Sequence, residues 1–278
     1  RRQRQMCIRD RFTGLALRSL GLEKGDVVSI ASEGIPEWLF TDMGTIGAGG
    51  ISSGIYTTDS AAQVKYLVND SKTKFYFAEN EEQLDKILEV RNECPSLKKI
   101  IVYDMEGLND FKDDQVLSYE EFIQLGKKLD SDQPDLWLRS INSVEADDIA
   151  ILVYTSGTTG PSKGAMINHK NLLYSVNTGV EIFEAREHEE QLSFLPLCHI
   201  LERSVSVMFP LKTGAVVNFA ESIDTVPENI REVSPTVFVA VPRIWEKFYS
   251  SITILMKDAT FIGRYFYNLS INTGAQYK

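Results

Sequence analysis

A short apolar run followed at once by a loop of small and hydroxylated residues limits how this chain can fold more than any other feature. Residues Ile149 to Val153 are all apolar, and they have the length and composition of a buried strand. The next segment, Tyr154 to Gly164, reads YTSGTTGPSKG. Its glycines let backbone N–H groups approach an anion, and its hydroxyls and its lysine add further donors. A rigid strand that carries such a loop predicts a binding site for a polyphosphate.

The candidate phosphate ligands are spread along this loop, and the segment is not the common P-loop. The P-loop pattern G-x-x-x-x-G-K-[ST] needs glycine before its lysine and a hydroxyl after it, whereas Ser162 and Gly164 flank Lys163 here. A solvated connector is the alternative interpretation, since Gly, Ser and Thr are common in loops for conformational reasons. The preceding strand favours phosphate binding. The predicted ligands are Thr155, Ser156, Gly157, Thr158, Thr159, Gly160, Lys163 and Gly164.

The same loop resembles a known family. Residues 154–172, YTSGTTGPSKGAMINHKNL, resemble the phosphate-loop signature of the AMP-forming acyl-CoA synthetases, which belong to the adenylate-forming enzymes. Residues 21–38 and 50–79 resemble the start of the large domain in that family. Two further motifs resemble the branch that uses long-chain fatty acids: LPLCHILER at Leu195 to Arg203, and VPRIWEKFY at Val241 to Tyr249.

The resemblance implies ATP-dependent activation of a long-chain fatty acid. An acyl-adenylate forms with release of pyrophosphate, and coenzyme A then takes the acyl group and releases AMP. Lys163 is expected to neutralise the departing pyrophosphate, with the hydroxyls of Ser156, Thr158 and Thr159 bonding its oxygens. Mg²⁺ is expected to bridge the phosphates, although no metal ligand can be named. Two alternatives stay open: an adenylation domain for an amino or aryl acid, and a catalytically silent nucleotide-binding module.

His199 is the second candidate catalytic residue, because it lies between a predicted strand end and a helix start. A helix N-terminus disfavours imidazolium, so we expect a neutral ring that donates to the substrate carboxyl or the adenylate phosphate. The resemblance implies the same pocket position. A structural helix cap is the competing interpretation, as it is for Asn168 before the next predicted helix upstream. For Glu202 and Arg203, a local pair and a pocket wall both stay open.

The domain organisation follows from composition and from the resemblance. Residues 1–11, RRQRQMCIRDR, hold five arginines without apolar periodicity and resemble translated adapter sequence. We therefore expect a non-native or disordered leader there, with a genuine basic arm as the alternative. Residues 12–278 are expected to form a partial N-terminal AMP-binding domain of the α/β class, with layered sheets flanked by helices. The C-terminal domain of the family is expected to be absent, and the chain is expected to be an inactive fragment by itself.

Composition argues against several other classes of protein. With 43% hydrophobic and 24% charged residues the chain can bury a substantial core. Its net charge of −10 disfavours nucleic acid and anionic lipid as partners. The cysteines Cys7, Cys94 and Cys198 are sparse and suit a reducing compartment. We expect a cytoplasmic protein that binds fatty acid, ATP and CoA, with at most peripheral contact to a cytosolic membrane face.

Periodicity predicts strands that alternate with helices, which is the pattern of an α/β fold. One helix is predicted to have an apolar face of Leu173, Val176, Val180 and Phe183, and a later one to have Leu201, Val205 and Met208 on one side. Residues 107–145 are expected to be irregular except for one helix that starts with a capping box of Ser118 and Glu121. Strands are predicted at 26–32, 74–79, 98–104, 148–154, 191–197, 215–220 and 236–241, with a return segment at 50–56. Helices are predicted at 35–49, 60–69, 81–93 and 118–128 and from residues 169, 200 and 242.

Overall fold

A mostly parallel sheet of seven strands organises the larger part of the molecule. The computed structural model describes residues 2–155, 160–184 and 186–276. The strand order is β5-β4-β3-β1-β2-β6-β7, and every neighbouring pair is parallel except the antiparallel pair of β6 and β7. The strands are β1 (Val27–Ala31), β2 (Ile51–Ile55), β3 (Thr73–Ala78), β4 (Lys99–Val102), β5 (Val116–Ser118), β6 (Ile149–Thr155) and β7 (Lys163–Asn168).

Helices cover both faces of this sheet, as the α/β pattern predicts. In β3, Phe75 and Phe77 face a core shared with helices α1, α2 and α5, whereas Tyr76 and Ala78 face a core shared with α3 and α4. The alternation follows from the two-residue period of a strand. The helices that accompany the sheet are α1 (Arg2–Ser19), α2 (Pro36–Gly47), α3 (Ala61–Ser71), α4 (Glu81–Val90), α5 (Tyr119–Asp132), α6 (Leu136–Asn142) and α7 (His169–Ile182).

Side-chain caps fix where several helices begin. The predicted capping box of Ser118 and Glu121 is confirmed at the start of α5, and Ser60 and Gln63 form a second one at α3. Asn168 caps α7 by accepting the backbone N–H of Asn171 at 2.8 Å, which confirms its predicted role. These bonds satisfy N–H groups that a helix cannot pair internally.

Two parallel strands form a smaller sheet beyond α7. Strand β8 (Glu190–Ser193) pairs with β9 (Val216–Phe219). Between them lie α8 (Ile200–Arg203), a π-helical turn at Ser204–Met208, and α9 (Phe209–Thr213), and α10 (Val226–Val233) follows. The chain divides into two compact units, Arg1–Val237 and Phe238–Lys278. The second unit consists mainly of α11 (Pro242–Lys257) and α12 (Phe261–Gln276), and Phe238, Trp245 and Phe248 form a ring cluster within it.

Several sequence expectations are wrong in detail. Residues 107–145 are not irregular outside the one predicted helix, because β5 and α6 also form there. Strand β8 ends at Ser193 rather than at residue 197, and the predicted strand at 236–241 is reduced to one bridge between Val237 and Gln191. Helix α7 buries Leu172 and Val176, whereas the predicted Leu173 and Phe183 are exposed.

Residues 8–11 make contacts that a leader outside the fold would lack. They belong to α1, where Arg9 lies 3.7 Å from Glu37 in an ion pair and Arg11 donates to Asp130. Burial raises the pKa of Asp10 to about 6. The structure thus differs from the expectation of a disordered segment at these positions, while a non-native origin of residues 1–11 stays a prediction. We find no helix with the length and hydropathy of a membrane span within the part of the chain that the structure describes.

Candidate active site

The loop predicted to bind phosphate connects two antiparallel strands. Strands β6 and β7 pair so that Tyr154 lies opposite Gly164 and Thr155 lies opposite Lys163. In a P-loop the lysine opens a helix, whereas here it opens a strand. Gly160 has φ +88°, a left-handed conformation that favours glycine. The hairpin geometry therefore agrees with the sequence argument against a common P-loop.

The two stems of the hairpin are the segments that flank the loop, 154–155 and 162–164. They put two donors on one face. Directly opposite residues of an antiparallel pair project to the same side, so the Thr155 hydroxyl and the Lys163 ammonium share a face. Both side chains are exposed. A Cβ at Gly164 would lie 3.1 Å from the Tyr154 ring, so this glycine makes room for that ring. The predicted ligands Ser156, Gly157, Thr158 and Thr159 lie outside the described residues, and their contacts stay predictions.

A cavity of about 450 Å³ lies beside the hairpin. Thr155 and Ser162 line it from the hairpin, and His199 lines it from the start of α8. The structure thus brings His199, the second candidate catalytic residue, to the same cavity as the two ends of the loop. It lies 44 positions after Thr155 in the sequence. The other lining residues come mainly from β2, the following loop and α3: Gly54, Tyr56, Asp59, Gln63, Leu67, Val153, Tyr154 and Ile200.

His199 is a helix cap and a cavity residue at the same time. Its Nδ1 accepts the backbone N–H of Leu201 at 3.2 Å, and the side chain is exposed. A neutral imidazole that accepts at Nδ1 carries its proton on Nε2. The cap therefore fixes the tautomer that can donate from Nε2 to an oxygen, so the two interpretations of this residue are compatible. Its catalytic role stays a prediction.

Two polar residues of the cavity were not predicted from the sequence. Tyr56 and Asp59 follow β2, at the carboxyl end of a parallel strand, which is where ligand sites form in open α/β sheets. Burial raises the pKa of Asp59, and it raises that of Tyr56 to about 12. Cys198, adjacent to His199, is buried, and its pKa is raised to about 12 by the same cause. The phenol and the thiol are therefore protonated at neutral pH, and neither is an activated nucleophile.

Buried ionic groups hold the segment that carries His199. Arg203, at the end of α8, donates from Nε to Asp42 Oδ2 at 3.1 Å and from Nη2 to Asp42 Oδ1. Its guanidinium carbon lies 5.1 Å from the centre of the Trp38 ring. Both Arg203 and Asp42 are fully buried, so this pair fastens α8 to α2 in the core. The sequence left the role of Arg203 open.

Glu202 fastens α8 to β8. Its Oε1 accepts from the Ser193 hydroxyl at 2.7 Å, the Ser206 hydroxyl at 2.8 Å and the Phe194 backbone N–H at 3.2 Å. Burial raises the pKa of Glu202 and these hydrogen bonds oppose that rise. Because Glu202 and Arg203 bind different elements, the loop between Ser193 and α8 is held from two sides.

Comparison with known families identifies the class of protein. The family model described as AMP-binding enzyme matches residues 5–266, and the chain belongs to this family. A curated relative, the human long-chain-fatty-acid CoA ligase ACSBG2, is 37% identical over 243 residues, which are 85% of this chain and 35% of that protein. The chain spans about a third of the length of the curated relatives that it matches.

Solved structures of adenylate-forming enzymes share the fold. An anthranilate CoA ligase, AuaEII, in complex with anthranoyl-AMP superimposes with a TM-score of 0.72 at 24% identity, covering 87% of this chain and 45% of that one. The N-terminal domain of FACL13 from Mycobacterium tuberculosis gives a TM-score of 0.69 at 20% identity, with 86% and 55% covered. These likenesses confirm the predicted fold class, a mixed α/β structure like the large N-terminal domain of such enzymes.

Proposed function

We propose that the whole protein activates a long-chain fatty acid with ATP through an acyl-adenylate and passes the acyl group to coenzyme A. The β6–β7 hairpin carries this proposal, because it sets Thr155 and Lys163 on one face beside the cavity that His199 lines. The naming of the human relative as a long-chain-fatty-acid CoA ligase supports the substrate class. We place this activity in the cytoplasm or at a cytosolic membrane face, in agreement with the sequence expectation.

The residues of this chain would act mainly by electrostatics. A carboxylate oxygen attacks the α-phosphorus of ATP, the bond to the bridging oxygen breaks, and pyrophosphate leaves with the electron pair. Lys163 and Thr155 would bond the oxygens on which that negative charge grows, together with the hydroxyls predicted at Ser156, Thr158 and Thr159. His199 would donate from Nε2 to the carboxyl or the adenylate phosphate. Adenylation then requires no covalent enzyme intermediate.

The described residues of this chain do not form a carboxylate-rich metal site. No group of three or more His, Cys, Asp or Glu side chains within the described ranges could hold a metal ion. Mg²⁺ in this chemistry lowers the negative charge of the nucleotide phosphates. We therefore name no metal ligand among the residues that the structure describes.

An acid panel tests the proposed substrate class. Each buried methylene contributes about 0.8 kcal/mol, so a binding tunnel for a fatty tail should lower KM steadily as the chain lengthens. We expect ATP–pyrophosphate exchange by the whole protein to depend on a long-chain fatty acid and to be weak with short acids. Exchange that instead depends on an amino or aryl acid would contradict the proposal. A lack of exchange with every acid in the panel would also contradict it.

Substitution of His199 separates its two roles. Asn at this position can cap a helix but cannot donate from the same place as Nε2. We expect His199→Asn to retain the melting temperature within a few degrees and to lower adenylation by about tenfold to a hundredfold, as loss of a positioned donor does. A thermal melt and single-turnover adenylation measure the two effects. Unchanged adenylation in His199→Asn would leave the residue with its capping role alone.

A further inference from the structure

Two side chains of α3 reach the two ends of the phosphate loop. The Tyr66 hydroxyl donates to the backbone carbonyl of Ser162 at 2.8 Å, and Asp70 Oδ2 accepts from the Tyr154 hydroxyl at 2.7 Å. Tyr154 directly precedes Thr155, and Ser162 directly precedes Lys163. Because Tyr66 and Asp70 are four residues apart, they lie on one face of the helix. One rigid helix thus holds both stems of the hairpin.

Helix α3 is well suited to hold them. Its N-terminus is fixed by the Ser60–Gln63 capping box, and its opposite side is buried in the core through Val64, Leu67 and Val68. The helix also lies next to β3, whose residues Tyr76 and Ala78 share that core. A loop stem bonded to such a helix loses freedom that a hairpin of two strands alone would keep.

The bond between Tyr154 and Asp70 has a fixed direction at neutral pH. Burial raises the pKa of the Tyr154 hydroxyl, and the neighbouring Asp70 carboxylate raises it further. Tyr154 is therefore the donor and Asp70 the acceptor. The Tyr154 ring in turn lies against Gly164 on the other stem, so one side chain contacts both strands and α3.

From this geometry we propose that Tyr66 and Asp70 are positioning residues for the phosphate loop. By tying Ser162 and Tyr154 to α3, they set the separation and orientation of the stems, and thereby place the Thr155 hydroxyl and the Lys163 ammonium on the same phosphate group. Neither residue is required to touch the ligand. The inference rests on the proposed function, since it concerns how the same loop binds the pyrophosphate end of ATP.

Titration calorimetry of magnesium pyrophosphate binding to this chain tests the inference without any acid substrate. We expect Tyr66→Phe and Asp70→Ala each to weaken binding by about fivefold, the net effect of one lost hydrogen bond. Asp70→Asn keeps an acceptor for Tyr154 and should bind nearly as the unmodified chain does. Tyr174→Phe removes a hydroxyl from an exposed tyrosine on α7 and is the matched control. Unchanged affinity in both Tyr66→Phe and Asp70→Ala, or no binding by the unmodified chain, would overturn the inference.

Exchange kinetics of the whole protein distinguish positioning from general stability. The inference predicts a raised KM for ATP in Tyr66→Phe and Asp70→Ala, an unchanged KM for the fatty acid, and recovery in Asp70→Asn. A purely structural role would lower the melting temperature and the amount of active enzyme without separating the two KM values, and that result would contradict positioning. If the unmodified protein binds pyrophosphate with the predicted dependence on Tyr66 and Asp70 but exchanges with no acid, the proposed function fails while the positioning role stands.

Discussion

Replacing Lys163 by alanine is expected to lower the adenylation rate of the whole protein by about 10²–10³, which is the cost of removing one donor from a developing anion. The lysine is exposed at the start of β7 and lies opposite Thr155. Its ammonium is therefore exposed to solvent, where an anionic ligand can reach it. ATP–pyrophosphate exchange with a long-chain fatty acid measures the effect.

Two control variants test whether the lost activity depends on the positive charge and on its position at residue 163. Lys163→Arg keeps the positive charge and should lose less activity than Lys163→Ala. Lys170→Ala removes a neighbouring exposed lysine from α7 and should exchange at the unmodified rate. An exchange rate in Lys163→Ala equal to that of the Lys170→Ala control would show that Lys163 does not handle the leaving group.

Breaking the buried pair of Arg203 and Asp42 should cause a larger loss of stability than replacing His199 or Lys65. The Arg203 side chain is 1% exposed and that of Asp42 is not exposed, so removing either partner leaves an uncompensated charge in the core. We expect Arg203→Ala and Asp42→Ala each to lower the free energy of unfolding by about 3–5 kcal/mol. Urea unfolding of the chain, followed by circular dichroism, measures the loss.

A double variant tests whether unpaired charge is the cause. Replacing both partners by apolar residues, Asp42→Leu with Arg203→Met, removes both charges and should recover most of the stability lost in either single variant. The exposed pair of Lys65 and Glu93 is the matched control, and Lys65→Ala should cost no more than about 1 kcal/mol. Single-variant losses as small as that of Lys65→Ala would contradict the expected cost of an unpaired charge in the core.

Signals local in sequence were sufficient for most of the sheet and its helices. The apolar run before the loop is strand β6, and the capping box at Ser118 begins α5 as predicted. The sequence placed the phosphate loop after a strand but did not show the second strand, β7, that follows it. Residues 163–168 read KGAMIN, which is short and mixed, and they form a strand because β6 supplies the partner.

Contacts between aromatic rings and glycines explain why the sequence did not predict the buried face of α7 or the presence of α6. Helix α7 buries Leu172 and Val176 and turns Gly179 toward Phe209, since a Cβ at Gly179 would lie 2.3 Å from that ring. A prediction that counts only apolar side chains omits this glycine. It therefore placed Leu173 on the buried face instead of Leu172. Helix α6 similarly forms where the Trp137 ring packs against glycines on two other helices, and nothing local in the sequence indicates this contact.

A π-helical turn follows α8 and changes which side chains are buried there. Ser204–Met208 forms this turn, which changes the angle between successive side chains relative to an α-helix. The predicted face of Leu201, Val205 and Met208 assumed a regular α-helix, whereas Ser206 and Val207 are the buried residues of the turn. The contacts of Tyr66 and Asp70 and the cavity positions of Tyr56 and Asp59 could likewise not be predicted, because each depends on residues far away in the sequence.

Oxygen transfer from the acid to AMP tests the central claim most directly. If a fatty carboxylate attacks the α-phosphorus of ATP and a thiol later displaces AMP at the acyl carbon, one carboxyl oxygen stays on the AMP. A long-chain fatty acid labelled with heavy oxygen in its carboxyl group is incubated with the whole protein, ATP, Mg²⁺ and coenzyme A, and the AMP is analysed by mass spectrometry. We predict one heavy oxygen per AMP. AMP without the label, formed while ATP is consumed, would contradict the adenylation chemistry assigned to this site.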